Sequence, residues 1–325
     1  MNWPRLEWER LMVASAPPWA VVLVPVILAG FAFAAAAADG IFMARAAGGR
    51  LTGAVAAAPL TEVARLLAGQ RRVTPVADRV LWRSGLIAVP VAAVLAAVVI
   101  PFGSVTASRM SVGVVWFNAM EVLTWAAVWM AGWGANATLS LVGGYRFVAQ
   151  GLAYQLPLMF ALICAAAGAQ SLNVAQVVTA QAHLWFAVWM PAAFAVYLAA
   201  VYAFSFLGPF SYPAGRDLAG GVVAELSGPD RLMLQAGRWL LLTAGAGMAV
   251  PLFLGGGAGP LLPAWVWSAG KTLAVLAVLV WARRRLPAIR ADRYAEVAWV
   301  VLIPLTIVQA LVVSLVVLTR GGVPL

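Results

Sequence analysis

Ionisable side chains are scarce in this chain: Asp, Glu, Lys and Arg make up 10% of its 325 residues, against roughly 25% in a soluble domain. That scarcity excludes a water-soluble globule. There is one cysteine, Cys164, so neither a disulfide framework nor a cysteine-held cluster or zinc site can be built. There is one histidine, His183, which excludes a His-pair metal site or a bis-histidine haem. No Gly-rich phosphate loop or nucleophile elbow stands between a strand and a helix. The chain is therefore expected to bind no cofactor or metal of its own, with any redox chemistry left to a partner.

Apolar residues are abundant, at 64% of the total. They fall into eight stretches, about 18–38, 84–102, 112–134, 146–168, 184–208, 233–254, 262–282 and 297–318. Each approaches the roughly 20 residues that carry a helix across about 30 Å of hydrocarbon. Lipid cannot satisfy open backbone groups, and the stretches are too long and too uniform for barrel strands. The expected fold is an all-α polytopic membrane protein, a single bundle of about eight transmembrane helices. Residues 1–17 are too polar to lead a cleavable signal sequence and are expected to be retained.

Orientation follows from the basic residues, 20 Arg and one Lys. If the first span runs inward, Arg45, Arg50, Arg65, Arg71, Arg72, Arg79, Arg83, Arg146, Arg216, Arg231, Arg238, Arg283, Arg284, Arg285, Arg290 and Arg293 face the cytoplasm, and Arg5, Arg10, Arg109 and Arg320 do not. The positive-inside rule then places both termini outside a bacterial inner membrane. The net charge of +10 reads as topology and lipid contact, with no nucleic-acid partner. Trp19, Trp82, Trp185 and Trp239 fall near span ends, where aromatic belts form.

The inward loops, 40–83, 209–232 and 283–296, are too long to be simple connectors. In the first, Pro59 through Leu67 reads as a short amphipathic helix started by proline, with Glu62 and Arg65 able to pair on its polar face. All three loops emerge on one side, where a soluble partner could dock.

Ordered along the chain are Arg45, Gly48, Gly49 and Arg50, then Pro59, Leu60, Thr61, Glu62 and Arg65, then Ala77-Asp78-Arg79 and Ile100-Pro101-Phe102-Gly103. Gly132-Trp133, Ser140 to Arg146, Pro209-Phe210, Pro213, Asp217 to Gly221, and Glu225-Leu226-Ser227 follow. Phe253 to Gly256, Lys271, Trp281, Arg283, Arg290, Asp292, Trp299 and Pro304 complete the set. In this order and spacing the chain resembles the membrane subunit that adjoins the quinone chamber of respiratory complex I, the H-type subunit of the bacterial NADH-quinone oxidoreductase. More distantly it resembles the equivalent subunit of membrane-bound hydrogenases.

The resemblance implies a non-redox anchor that forms the membrane side of a quinone-type cavity and docks a soluble module carrying iron–sulfur clusters. Beside it would stand other membrane subunits of the assembly. Arg45, Arg50, Glu62 and Arg65 would shape the cavity mouth. Phe210, Asp217, Glu225, Arg283, Arg290 and Asp292 would order the docking loops. The departures remove carboxylates: the first span carries Ala34 to Ala38 where the family has Glu-Arg-Arg, and Gln155, Phe204, Leu207, Ser211 and Ala214 replace further ionisable groups. An intramembrane acid is costly and is normally kept for a task. Glu121 is expected to be the only well-embedded one, so a proton path would use Glu121, Gln155 and Lys271, and proton coupling is doubtful. Lys271 could pair with Glu121 or reach an interface. An anchor in a hydrogenase-like complex without quinone function, or a stand-alone permease, would also fit these residues.

Cysteines placed at Gly49, Gly215 and Ala288 should react with impermeant maleimide only from the cytoplasmic side of intact vesicles. Labelling of any of them from the outside would reverse the orientation.

Overall fold

The computed structural model describes residues 13–48 and 52–319. Arg50, a candidate at the cavity mouth, lies outside the described residues. After a 3-10 turn at Pro18–Val22, α1 spans Leu23–Ala46, α2 Gly53–Ala68, α3 Arg79–Ala97, α4 Gly113–Gly134 and α5 Thr138–Ala169. Three shorter helices follow, α6 Val174–Ala180, α7 Phe186–Trp189 and α8 Pro191–Ser205. Then come α9 Gly228–Phe253, α10 Ala264–Arg285, α11 Ala291–Val297 and α12 Ile303–Thr319. Two-residue strands, β1 Ala14–Ser15 and β2 Val105–Thr106, pair in parallel at one end.

Among the described residues, seven helical segments are long and apolar enough to cross a membrane, and α8 is a shorter apolar helix. The fifth expected span is the one that differs. Its first residues form the separate short helix α7, which breaks at Met190, and a fresh helix starts at Pro191, whose fixed φ suits a first turn. The buried Gln181 makes the break tolerable. Its Nε2 donates to the carbonyls of Val177 (3.0 Å) and Pro251 (2.8 Å), and its Oε1 accepts from the N–H groups of Phe186 (3.2 Å) and Gly255 (3.0 Å). Without this one amide, four backbone groups would lie open where water is scarce.

Two other boundaries move. The first span continues through Arg45, which stands in the last turn of α1 rather than in a loop. The interfacial helix α2 begins at Gly53, not at Pro59, and carries the proline inside it. Pro59 cannot bond back to the Val55 carbonyl, and that oxygen lies over Gly40 of α1, where a side chain would crowd it at 3.4 Å. A π-helical segment, Ala298–Leu302, joins α11 to α12 just ahead of Pro304. Pro304 has no N–H to offer Val300, so the ladder shifts register there.

Small residues set the packing. In the antiparallel pair α3 and α4, an added Cβ at Gly85 would sit 2.5 Å from the Ala127 oxygen and 2.6 Å from the Ala131 nitrogen. One turn along the same pair, a Cβ on Gly134 would meet the Trp82 nitrogen at 2.5 Å. Trp82 is therefore buried against α4 rather than lying in an interfacial belt. Such backbone contact is how membrane helices associate without a hydrophobic driving force between them. α9 and α5 lie innermost, with 78% and 56% of their spanning windows buried, whereas α12 has 11% and presents its apolar side to lipid or neighbours.

Gly85→Ala should force α3 away from α4 and destabilise the chain by about 1–3 kcal/mol, the usual cost of overpacking. Thermal unfolding in detergent would read this directly, and an unchanged midpoint would show that the helices are not in backbone contact.

Candidate functional site

One end of the bundle collects nearly every charged residue. The segment after α2 is stitched to the start of α9: the Arg72 N–H donates to Ser227 Oγ (2.7 Å), and Arg71 faces Asp230 at 3.5 Å. Gly228, at φ +53°, lets this strand of backbone lie against Gly69. Asp78 caps α3 by accepting from the N–H groups of Val80 and Leu81. Thr74 donates to the Ala135 carbonyl, and Asn136 to that of Val76. The 206–227 connection runs as a series of 3-10 turns. Ser140 Oγ donates to its Gly221 carbonyl (3.5 Å), and Arg146 pairs with Asp217 (2.7 Å) while lying 3.9 Å over the Tyr212 ring.

Against this frame the candidate residues separate. Arg45, Arg65, Asp217, Arg290 and Asp292 are exposed at this end, and Glu62 is half-buried. Glu62 and Arg65 pair at 2.6 Å, and that hydrogen bond holds the Glu62 carboxyl below the usual carboxylate range. Arg290 and Asp292 meet at 3.2 Å, each well exposed, an arrangement that orders a surface more than it stabilises a fold. Glu225 is half-buried. Phe210 is not on the surface: it is buried edge-on against Tyr294, with ring centroids 4.4 Å apart. It fixes the loop from inside, alongside a bond from the Ile289 N–H to the Pro209 carbonyl at 2.7 Å.

The embedded acids are more numerous than expected. Asp39 of α1 is buried and bridged by Arg283 (2.9 Å) and by both Nε (2.6 Å) and Nη2 (2.5 Å) of Arg284. Asp230 is buried as well. Asp39 follows directly on the alanine run, and an acidic residue at the end of an apolar stretch is the signal that marks it. Arg283 and Arg284, expected in a loop, form the last turn of α10, where the helix dipole favours cations.

Glu121 occupies the middle of α4 and is fully enclosed. Tyr154 of α5 donates its hydroxyl proton to Oε1, and Trp125 Nε1 donates to that same hydroxyl oxygen at 2.8 Å. Among the described residues Oε2 has no partner. Phe204, at a position where the resemblance implies a carboxylate, lies between Tyr154 and Phe117 at centroid distances of 6.4 Å. Gln155 faces elsewhere, with its Nε2 donating to Asn118 Oδ1 at 3.0 Å.

Lys271 joins neither group. Its ammonium donates to the carbonyls of Leu254 (2.7 Å), Gly256 (3.0 Å) and Ala258 (2.9 Å), beneath the Trp185 ring at 4.5 Å. All three donors are used at the opposite end of the bundle. The expected path through Glu121, Gln155 and Lys271 is thus three separate polar clusters. Tyr154, which nothing in the sequence singles out, is the group that contacts Glu121.

The profile of the NADH dehydrogenase family matches residues 19–314. The first of the H-type NADH-quinone oxidoreductase subunits of Geobacter metallireducens is 31% identical over 273 residues, 81% of this chain and 83% of the relative. The H-type subunit of the same enzyme from Geobacillus kaustophilus is 32% identical over 263 residues, 79% of each chain. A solved chain of the membrane-bound sulfane sulfur reductase, an archaeal respiratory membrane complex, superposes with a TM-score of 0.81 at 21% identity, covering 91% of this chain and 99% of that one. That last likeness is one of fold.

Asp39→Asn should cost about 2–3 kcal/mol, less than the roughly 3–5 of a fully buried pair because the two arginines remain partly exposed. Adding Arg284→Gln to Asp39→Asn should recover part of the loss. A double-mutant cycle on unfolding midpoints measures this, and additive effects would deny the pair its structural role.

Proposed function

The chain belongs to the NADH dehydrogenase family, whose bacterial relatives are named as H-type subunits of NADH-quinone oxidoreductase, and we propose that it is the non-redox membrane anchor of a complex I-like assembly. It lies in the bacterial inner membrane with its arginine-rich end in the cytoplasm. There it docks a soluble module that carries the iron–sulfur clusters, and beside it stand sister membrane subunits against α12 and α10. The observation that carries this reading is the single braced surface formed by residues 69–78, 206–227 and 286–292, held by Ser227, Arg146 and Phe210 from within. A permease has no need of so rigid a face on one side.

The same end forms the membrane wall of a quinone-type cavity. Two buried donors there, Trp82 Nε1 and Arg238 Nε, have no acceptor among the described residues, and quinone carbonyl oxygens are acceptors of the kind they lack. Arg45, Glu62 and Arg65 stand at its mouth.

Proton movement is not this subunit's task. Glu121 is buried against Tyr154, with Trp125 on the Tyr154 hydroxyl and Phe204 and Phe117 packed beyond that ring, and among the described residues no second carboxylate is hydrogen-bonded to it. A relay needs groups that take up and release protons in turn, and Phe204 breaks the line where the family places an acid. This also supports a second reading, an anchor in a hydrogenase-like complex that keeps docking and has lost quinone function. The fold does not choose the acceptor, since the neighbour of like fold belongs to a sulfane sulfur reductase.

Purification of the tagged chain should bring down membrane and iron–sulfur subunits, and Arg50→Glu with Glu225→Lys should weaken that attachment while the bundle still folds. In sealed vesicles the assembly should reduce its acceptor with no proton uptake that depends on Glu121. Isolation of the chain alone would favour a permease, and proton uptake abolished by Glu121→Gln would overturn the structural reading.

A further inference from the structure

The seam between α1 and α10 carries two features that the anchor role does not use. At the arginine-rich end, Arg283 and Arg284 pair with one carboxylate, Asp39, and a third guanidinium, Arg285, ends the same helix. Arg283 and Arg284 keep 24% and 33% of their side chains exposed after pairing. Arg285 lies 5.8 Å from the Trp281 ring one turn earlier, both exposed to the surroundings. The seam thus holds an excess of two positive charges at interface level, framed by a tryptophan.

Deeper along the same seam is a pocket with about 80 Å³ of free space. Val24, Ile27, Leu28 and Phe31 of α1 form one wall, and Gly247 of α9 forms part of the floor. The three hydroxyls on its lining each make a hydrogen bond within the chain: Thr272 donates to the Ser268 carbonyl, Ser268 Oγ accepts from the Gly103 N–H, and Thr243 donates to the Trp239 carbonyl. The rest of the lining is apolar, so the pocket suits hydrocarbon. Phe31 lies eight residues and Val24 fifteen residues before Asp39, placing the pocket about 12–22 Å below the charges at about 1.5 Å per residue. One leaflet of a bilayer core is about 15 Å deep.

We propose that this seam seats an anionic phospholipid, with its phosphodiester on Arg284 and Arg285 above the Asp39 pair and one acyl chain ending in the pocket. Basic recesses between spanning helices on the cytoplasmic side recognise such headgroups. Head and tail have separate binding elements here, so each can be removed without the other.

Native mass spectrometry of the purified protein, with whatever subunits accompany it, tests this with phosphatidylglycerol and phosphatidylethanolamine of identical chains. Wild type should prefer phosphatidylglycerol about 30-fold, the ratio expected of roughly two interfacial basic charges. Arg285→Gln, an exposed position whose loss spares the fold, should reduce that preference about fivefold. Gly247→Leu should weaken retention of both lipids and leave their ratio unchanged, because a side chain there enters the pocket beside Ile100 without a backbone clash. Inorganic phosphate at millimolar concentration should neither displace the lipid nor bind alone. Equal retention of the two lipids, a stable phosphate adduct, or cross-linking of a neighbouring subunit through Arg285→Cys would each overturn the proposal.

Discussion

Lipid offers the backbone no hydrogen bonds, and the architecture is organised around that constraint. A continuous helix meets it unaided. This chain interrupts its helices at 181–190, at 206–227 and at 254–263, and each interruption is closed by buried polar side chains. Gln181 serves four backbone groups, Lys271 serves three carbonyls, and Arg238 donates to the Phe206 carbonyl. By residue type alone these intramembrane polar groups look functional, yet Gln181 and Lys271 spend their donors and acceptors on the chain itself, while Arg238 keeps a buried Nε with no acceptor among the described residues.

The two ends of the bundle are built differently for the same reason. At the end of β1, β2 and Lys271 the turns are short, and glycines at positive φ bring backbone close to tryptophans. At the other end the connections are long and braced by charge: Arg146 to Asp217, Arg71 to Asp230, and Arg283 and Arg284 to Asp39. A connector needs only to satisfy its backbone. The docking role proposed for this end asks in addition that it keep its shape, and partly buried ion pairs between separate elements supply that at a cost in desolvation.

Where the resemblance implies a carboxylate, the packing shows a ring. Phe204 fills its position against Tyr154, and Gly245 leaves that ring room, since a Cβ there would meet it at 2.7 Å. The site is packed as a core. Glu121 persists within it, hydrogen-bonded by Tyr154 and walled off by rings.

The number of apolar stretches, their helical state and the grouping of arginines on alternate connections follow from composition and order alone, because lipid allows so few structures. Family membership was legible in the register of Arg45, Asp78, Gly132, Pro209, Lys271 and Pro304, though no single one of them identifies it. Tertiary structure alone decided who meets whom. Hydropathy reports the average cost of burying a residue and carries no direction, so it could not show that Asp39 lies between two arginines some 244 positions away. Nor could it show that Phe210 points inward, that Lys271 faces carbonyls and not Glu121, or that the fifth apolar stretch breaks at Met190 into two helices. Those outcomes depend on which small residues let backbones touch, and that is a property of helix pairs.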